Sequence, residues 1–342
     1  MLLIKKKAYA RCGLIGNPSD GYFGKTLALI VPDFAAEVTL YEWDEVELVL
    51  SRNDQVRFRN IHDLARDVQL HGYYGGIRLL RATIKKFVDY CRARDIPLHD
   101  ENFSIRYESN IPRLVGLAGS SAIIVATLRC LMEFYDMAIP REIQPSFVLS
   151  VETEELGIAA GLQDRVAQVY EGLIYMDFAK EQMHRSDGYQ CGVYEPLDPA
   201  LLPPLYVAYN TNAASPTERT HGDLRSRFNN GEKAVVEAMR QFARLTVEAR
   251  TALIEGRPGR LAELVDRNFE LRRSICDLPG GQVEMVERAR QAGATAKFAG
   301  SGGAIVGTYP DAQTLCRLKV ELKPLGCEVL DLYPGTAGAK CR

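Results

Sequence analysis

No two of the eight cysteines in this 342-residue chain stand in a C-x-x-C spacing, which removes the usual marks of a redox dithiol or a thiolate zinc site. Cys130 sits inside an apolar run, where a reduced thiol serves as a small hydrophobe. The five histidines are equally scattered, so no histidine-based zinc site is suggested either. Charge of one sign is also missing: the formal net charge is -2, and the one notable basic run is Lys5-Lys6-Lys7. Such a balance lacks the electrostatic footprint of a nucleic-acid binder. No apolar stretch reaches membrane-spanning length, and Met1-Leu2-Leu3-Ile4 precedes its lysines and is too short for a signal-peptide core. The expectation is a cytoplasmic protein whose partner is a small molecule, neither nucleic acid nor membrane, with its oligomeric state open.

What is present is an ordinary globular composition, 46% hydrophobic and 25% charged, on a chain long enough for roughly two domains. Strand-like runs (Ala8–Ile15, Leu27–Val31, Glu37–Tyr41, Val46–Leu50) mix with helical patterns at Tyr74–Ala93, Ala122–Tyr135 and Pro145–Leu156, the last ending at Gly157. Asp164 opens a further short helix, Gly172–Phe178 reads as a strand, and Lys180–Gly192 as a polar loop. After Pro203-Pro204 come the strand Leu205–Tyr209, helices at Gly231–Glu255, Arg260–Cys276 and Gly281–Ala292, a glycine turn within Ala296–Tyr309, a helix at Ala312–Leu322 and a strand at Cys327–Tyr333. This order predicts an α+β protein with domains at 1–200 and 201–342, the second a two-layer sandwich of antiparallel sheet and helices.

The most informative stretch runs from Ile111 to Ala122. Gly116 and Gly119 let the backbone turn, the hydroxyls of Ser120 and Ser121 follow, and a helix then begins whose amides and dipole favour an anion. That reads as a phosphate loop. It lacks the Gly-Lys-Ser/Thr ending of a Walker A motif, so any cation must come from elsewhere. The alternative for the segment alone is a glycine-rich turn with Ser120 as helix N-cap. The helix that follows is apolar apart from Arg129, Glu133 and the neighbouring Asp136, which form one narrow polar stripe.

Two further glycine-bearing segments flank this loop in sequence, Arg11 to Gly21 and Lys297 to Ala304. Alone, the latter reads more readily as a tight hairpin than as a ligand site. In this order, the three segments resemble the motifs of the galactokinase, homoserine kinase, mevalonate kinase and phosphomevalonate kinase (GHMP) superfamily. Gly13 to Asp20, Gly72 to Leu80, Asn110 to Ala122 and Ala160 to Val166 are most similar to its branch acting on D-glucuronate, and the resemblance spans nearly the whole chain.

The resemblance implies a two-domain fold, ribosomal-protein-S5-like then ferredoxin-like, with nucleotide and sugar bound in the cleft between. It implies ATP held by Gly116, Leu117, Ala118, Gly119, Ser120 and Ser121, with Gly300 and Gly302 approaching from the second domain. Magnesium is expected on Ser121 and Glu152, with Glu154 or Glu155 as a shifted assignment and a solvated acidic helix face as the alternative for all three. Asp164 is expected to orient and deprotonate the attacking hydroxyl, and Arg11 to supply the cation. Without the resemblance, Asp164 reads as a helix N-cap and Arg11 as an exposed strand-edge charge. Asp20, Tyr73 and Tyr74 are the expected sugar contacts, although glycine-flanked Tyr73 and Tyr74 also suit a packed turn. Where galactokinases read Gly-Glu-His-x-Asp this chain has Gly16-Asn17-Pro18-Ser19-Asp20, which argues against a galactose pocket. Arg78, Arg81, Arg113 and Arg219 are candidates by type alone for a substrate carboxylate. The implied reaction is phosphorylation of the anomeric hydroxyl of D-glucuronate; the alternatives are another sugar (galacturonate, a hexose or a heptose) or a non-catalytic regulator of the same fold.

Overall fold

The computed structural model describes residues 2–49, 75–210 and 218–333; Tyr73 and Tyr74 lie outside the described residues. Strands β1 (Leu3–Ile15) and β2 (Lys25–Trp43) pair antiparallel along nearly their whole length. The sequence reads as two strands where β2 is one. The cause is local: the register jumps from Tyr9 opposite Ala35 to Ala10 opposite Val31, so residues 32–34 bulge outward, with Pro32 in the bulge where its missing N–H costs no ladder bond.

Strands β3 (Glu47–Leu48), β4 (Asn102–Ser109), β5 (Leu173–Asp177) and β8 (Val193–Leu197) complete this sheet in the order β3-β4-β2-β5-β8, with β1 on β2. The expected polar loop 180–192 instead contains a small hairpin, β6 (His184–Ser186) and β7 (Tyr189–Cys191). Its turn, Asp187-Gly188, has positive φ at both residues, as a tight two-residue hairpin turn requires.

Helices α1 (Gly76–Arg92), α2 (Gly119–Phe134), α3 (Gln144–Ser150) and α4 (Leu162–Tyr170) accompany the sheet. Helix α2 is buried on most sides, and its polar stripe is neutralised locally: Arg129 pairs with Glu171 at 2.8 Å and Glu133 with Lys6. A π turn, Val151–Glu155, extends α3, and Gly157 beyond it has φ +66.

The second unit holds β9 (Leu205–Tyr209), helices α5 (Glu218–Asn229), α6 (Lys233–Ile254), α7 (Pro258–Ile275) and α8 (Gly280–Gln291), strands β10 (Lys297–Phe298) and β11 (Ala304–Thr308), α9 (Ala312–Leu322) and β12 (Glu328–Tyr333). Helix α5, polar and weakly periodic, has no counterpart in the sequence reading. The antiparallel sheet runs β10-β11-β9-β12, the order of a ferredoxin-like split βαβ unit. Every residue of β9 is buried. Leu205, Val207 and Tyr209 join the core of the first unit, whereas Tyr206 and Ala208 join a second core with Phe269, Met285 and Leu318. Period-two alternation therefore glues one strand to both layers. Burying each large apolar side chain contributes about 1.5–3 kcal/mol, enough in sum to hold the two glycine loops face to face.

Candidate active site

β1 delivers Arg11 to the junction of the two units. Its side chain is neither edge nor exposed: at 5% exposure, Nε donates to Asp164 Oδ1 at 2.6 Å and Nη1 donates to the carbonyls of Gly116 (2.8 Å) and Ala299 (3.3 Å). One guanidinium thus joins the first glycine segment to the loop at Gly116, the turn at Ala299 and the helix of Asp164. Such a planar fork suits a fixed, multi-partner cation better than a lysine would.

Asp164 is not a helix cap. The N-cap of α4 is Gly161, with no side-chain cap bond, and Asp164 lies in the first helical turn. Its Oδ1 faces Arg11 and its Oδ2 lies 3.3 Å from Arg165 Nη1. The carboxylate thus sits between two guanidiniums at the positive end of a helix.

Arg165, unremarked in the sequence, links this pair to Glu152. Its Nε donates to Glu152 Oε2 at 2.6 Å, Nη2 donates to the same oxygen, and Nη1 donates to the Gly161 carbonyl at 2.8 Å. Glu152 is 2% exposed, which overturns the solvated-face alternative for this residue. Burial pushes its carboxyl up and Arg165 opposes that shift. Glu154 and Glu155 turn the other way, pairing with Lys86 and Lys85 on α1. Glu152 is therefore the acid turned inward, in an alternating row Glu152–Arg165–Asp164–Arg11.

Asp20, in the short turn Ser19–Tyr22, completes the acidic side. Its Oδ2 accepts from the Gln163 amide nitrogen at 3.4 Å. Burial, followed by repulsion from Asp164, pushes its carboxyl up to about 6.

The phosphate loop has the geometry of an anion cradle. Leu114, Gly116 and Ala118 have φ of 59°, 73° and 62°, and left-handed residues alternating with others turn backbone amides toward one concavity. Helix α2 starts at Gly119 with Ala118 as N-cap, so Ser120 lies inside the first turn and is not the cap. That start, earlier than the pattern indicates, adds first-turn amides that a helix leaves without carbonyls of its own. Ser121 is buried, and its Oγ donates to the Ala118 carbonyl at 3.3 Å.

Segment 297–304 is a hairpin turn and also a close neighbour of this cradle. A Cβ on Gly300 would collide with the Gly116 carbonyl, and one on Gly116 would come 2.8 Å from the Gly302 carbonyl. Arg272 holds the turn by donating to the carbonyls of Gly300 (2.7 Å) and Ser301 (3.1 Å). Lys297, fully buried, donates to Gly13 O and Asn17 Oδ1 at 2.6 Å each, tying the turn to the first motif. Desolvation pushes its ammonium well below the usual lysine range. Arg165, Arg272 and Lys297 escaped sequence reasoning because a cation's partners are set by the fold and not by spacing.

The structure thus brings Arg11, Asp20, Gly116–Ser121, Glu152, Asp164, Gly300 and Gly302 to one junction. A half-buried carboxylate, a buried guanidinium and a glycine loop meeting at one junction are the parts that phosphoryl transfer to a small molecule requires. The model of the GHMP kinases N-terminal domain matches residues 78–172, which include the cradle, Glu152 and Asp164. Over 326 residues, 93% of this chain and 88% of the relative, the sequence is 44% identical to glucuronokinase 1 of Arabidopsis thaliana. The chain belongs to the GHMP kinase family. Its fold is shared with Streptococcus pneumoniae phosphomevalonate kinase (TM-score 0.73, 17% identity, 96% of this chain and 98% of that one) and with Lactococcus lactis galactokinase complexed with galactose (TM-score 0.73, 16% identity, 96% and 92%).

Proposed function

We propose that this chain is an ATP- and magnesium-dependent sugar kinase that phosphorylates the anomeric hydroxyl of D-glucuronate, giving glucuronate 1-phosphate and ADP. The observation that carries the chemistry is the Arg11 guanidinium, bonded at once to Asp164 and to the Gly116 carbonyl of the cradle. The sugar follows from the 44% identity to a glucuronokinase. We place the domain boundary at residues 200/201 and the enzyme in the cytoplasm; among the described residues no helix is long and apolar enough to cross a membrane.

In this reading the amides of Gly116 to Ser121 hold the nucleotide phosphates and the turn at Gly300 and Gly302 closes over them. The sugar oxygen bonds to the γ-phosphorus, the bond from that phosphorus to the bridging oxygen breaks, and ADP leaves. The hydroxyl proton passes to Asp164 and then to solvent. Held by Arg11, Asp164 orients the hydroxyl first and takes its proton late in the transfer. Arg11 offsets charge on the transferring group. Asp20 receives sugar hydroxyls.

Magnesium would be held by Ser121 Oγ and Glu152. The donor set fits: both are oxygen ligands, Arg165 engages one carboxylate oxygen of Glu152, and magnesium bound with a nucleotide needs few protein ligands. Among the described residues no group of three or more acidic, histidine or cysteine side chains could hold a metal alone. Bound magnesium supplies neutralisation of the β- and γ-phosphates.

The test is ADP release by the purified protein with MgATP over a panel of glucuronate, galacturonate, glucose, galactose and a heptose 7-phosphate, with the product examined by phosphorus NMR. Selective turnover of glucuronate to an anomeric phosphate is expected. Turnover of another sugar in its place, or a product phosphorylated elsewhere, would overturn the proposal.

A further inference from the structure

A uronic acid needs a cation with hydrogen-bond donors still to give. Around the site most cations are committed. Arg11 serves Asp164 and two carbonyls, Arg165 serves Glu152 and Gly161, Arg272 holds Gly300 and Ser301, Lys297 holds Gly13 and Asn17, and Lys25 pairs with Asp177. Of the four arginines singled out by type, Arg78 and Arg81 lie on α1, Arg113 stands exposed in the turn ahead of Gly116, and the side chain of Arg219 lies outside the described residues.

Arg225 on α5 differs from all of these. Its Nη1 donates to the Gly21 carbonyl at 2.6 Å, one residue from Asp20. Its guanidinium lies 4.5 Å over the Tyr22 ring, which in turn packs 4.9 Å from Phe228. A Cβ on Gly21 would stand 2.9 Å from Nη2, so the missing side chain at Gly21 lets the guanidinium lie against the backbone beside Asp20. No carboxylate among the described residues pairs with Arg225, and the residue is exposed on its remaining side. An arginine clamped on an aromatic face with no acidic partner is oriented yet unneutralised. Asp20 and Arg225 both act on the Tyr22 phenol, the acid raising it and the cation lowering it beneath the larger effect of burial.

On the other side of Asp20 stands Gln163, 3% exposed. Its amide side chain occupies the space over Gly13, since a Cβ there would stand 2.9 Å from Gln163 Nε2. Residues 11 and 13 share one face of β1, so that amide lies on the same face as Arg11. Gln163 Oε1 is buried with no donor among the described residues. An unsatisfied buried acceptor is destabilising, a cost removed when a ligand hydroxyl supplies the hydrogen.

We propose that Arg225 takes the carboxylate of the sugar acid, while Asp20 and Gln163 Oε1 receive ring hydroxyls, which makes Arg225 the residue that selects a uronate over a neutral sugar. This inference rests on the proposed sugar-acid kinase activity. The fork of Arg225 reads the carboxylate, and its stack on Tyr22 holds it in the subsite before the substrate arrives.

The test compares D-glucuronate with D-glucuronamide, in which a neutral carboxamide replaces the carboxylate, each measured with MgATP as a substrate and as a competitive inhibitor. Wild-type turnover of glucuronate tests the activity on its own; a wild-type enzyme without it overturns both proposals together. Given that activity, Arg225→Met is expected to lower kcat/KM for glucuronate by roughly 10–100-fold, mainly through KM, while glucuronamide changes by less than about threefold and the KM for ATP stays constant. Arg225→Lys, which keeps the charge but loses the fork, should fall between and controls for folding. Equal losses on the two sugars would show that Arg225 only supports Gly21 and Tyr22, and unchanged kinetics would remove it from the subsite; either result overturns the inference.

Discussion

Asp20 sits where its charge is unwelcome, and the size of that penalty can be worked out. Its carboxyl is pushed from 3.8 to about 6, and a shift of that size is worth about 3 kcal/mol between the protonated and ionised forms. Because the folded state holds the proton more tightly than the unfolded chain, raising the pH through this interval lowers stability. The penalty is absent below 3.8, grows between 3.8 and about 6, and is complete above. Asp20→Asn removes it and keeps an oxygen for the Gln163 amide. Partial solvent contact at this residue trims the gain to about 1–3 kcal/mol, or roughly 1–4 °C in Tm at pH 7.5 for a chain of this length. The same variant should lose roughly 100-fold or more in kcat/KM for the sugar, since an acceptor for its hydroxyls has become part donor. Thermal melts of both proteins from pH 4 to 8, with kinetics at pH 7.5, check the argument. A stability gain that persists undiminished at pH 4, or a variant less stable at pH 7.5 than the parent, would refute it.

Asp164→Asn should leave the fold and the KM for ATP near their original values while lowering kcat by roughly 1,000-fold; steady-state kinetics with saturating sugar would read it, and a variant within tenfold of wild type would remove Asp164 as the base. Glu152→Gln should cost about 2–4 kcal/mol in chemical denaturation, because it leaves the buried Arg165 short of a counter-charge; a change confined to magnesium dependence, with stability intact, would show that Glu152 acts as a metal ligand alone. Gly300→Ala should weaken ATP binding by at least tenfold in equilibrium titration, since its methyl group collides with the Gly116 carbonyl and comes 2.9 Å from Arg11 Nη1; unchanged affinity would mean that the turn does not meet the nucleotide.

Much of the architecture was readable because it obeys period and punctuation. The strand Leu205–Tyr209 and the helices at α7, α8 and α9 fall within a few residues of their expected bounds. The failures have specific causes. Helix α2 begins at Gly119 because a left-handed Ala118 serves as its cap, a conformation that residue type does not announce. The β6–β7 hairpin is built from His184, Arg185 and Gln190, whose polarity reads as loop, and only Asp187-Gly188 marked it. The break at Pro32 split β2 on paper because a bulge and a chain end look alike in one dimension.

For the site, the sequence motifs named residues, and the fold supplied the charges between them. Asp164 illustrates the difference. By position it suits a helix cap as well as a base, and local sequence favours the cap; what decides is that Gly161 caps the helix while Arg11, 153 residues away, grips the carboxylate. The same contact explains why the cluster tolerates three buried or half-buried acids. Glu152, Asp164 and Asp20 would repel one another strongly in a low-dielectric junction, yet Arg165 is bonded to the first and within 3.3 Å of the second, and Arg11 binds the second on its other side. Of the three, Asp20 alone has no cation bonded to it among the described residues, and it is the acid whose carboxyl is driven to about 6. An acid left short of counter-charge beside an unneutralised Arg225 and an unpartnered Gln163 oxygen is stabilised by whatever brings hydroxyls and a carboxylate to that place. Substrate binding is then favoured by the relief of costs that folding alone leaves standing.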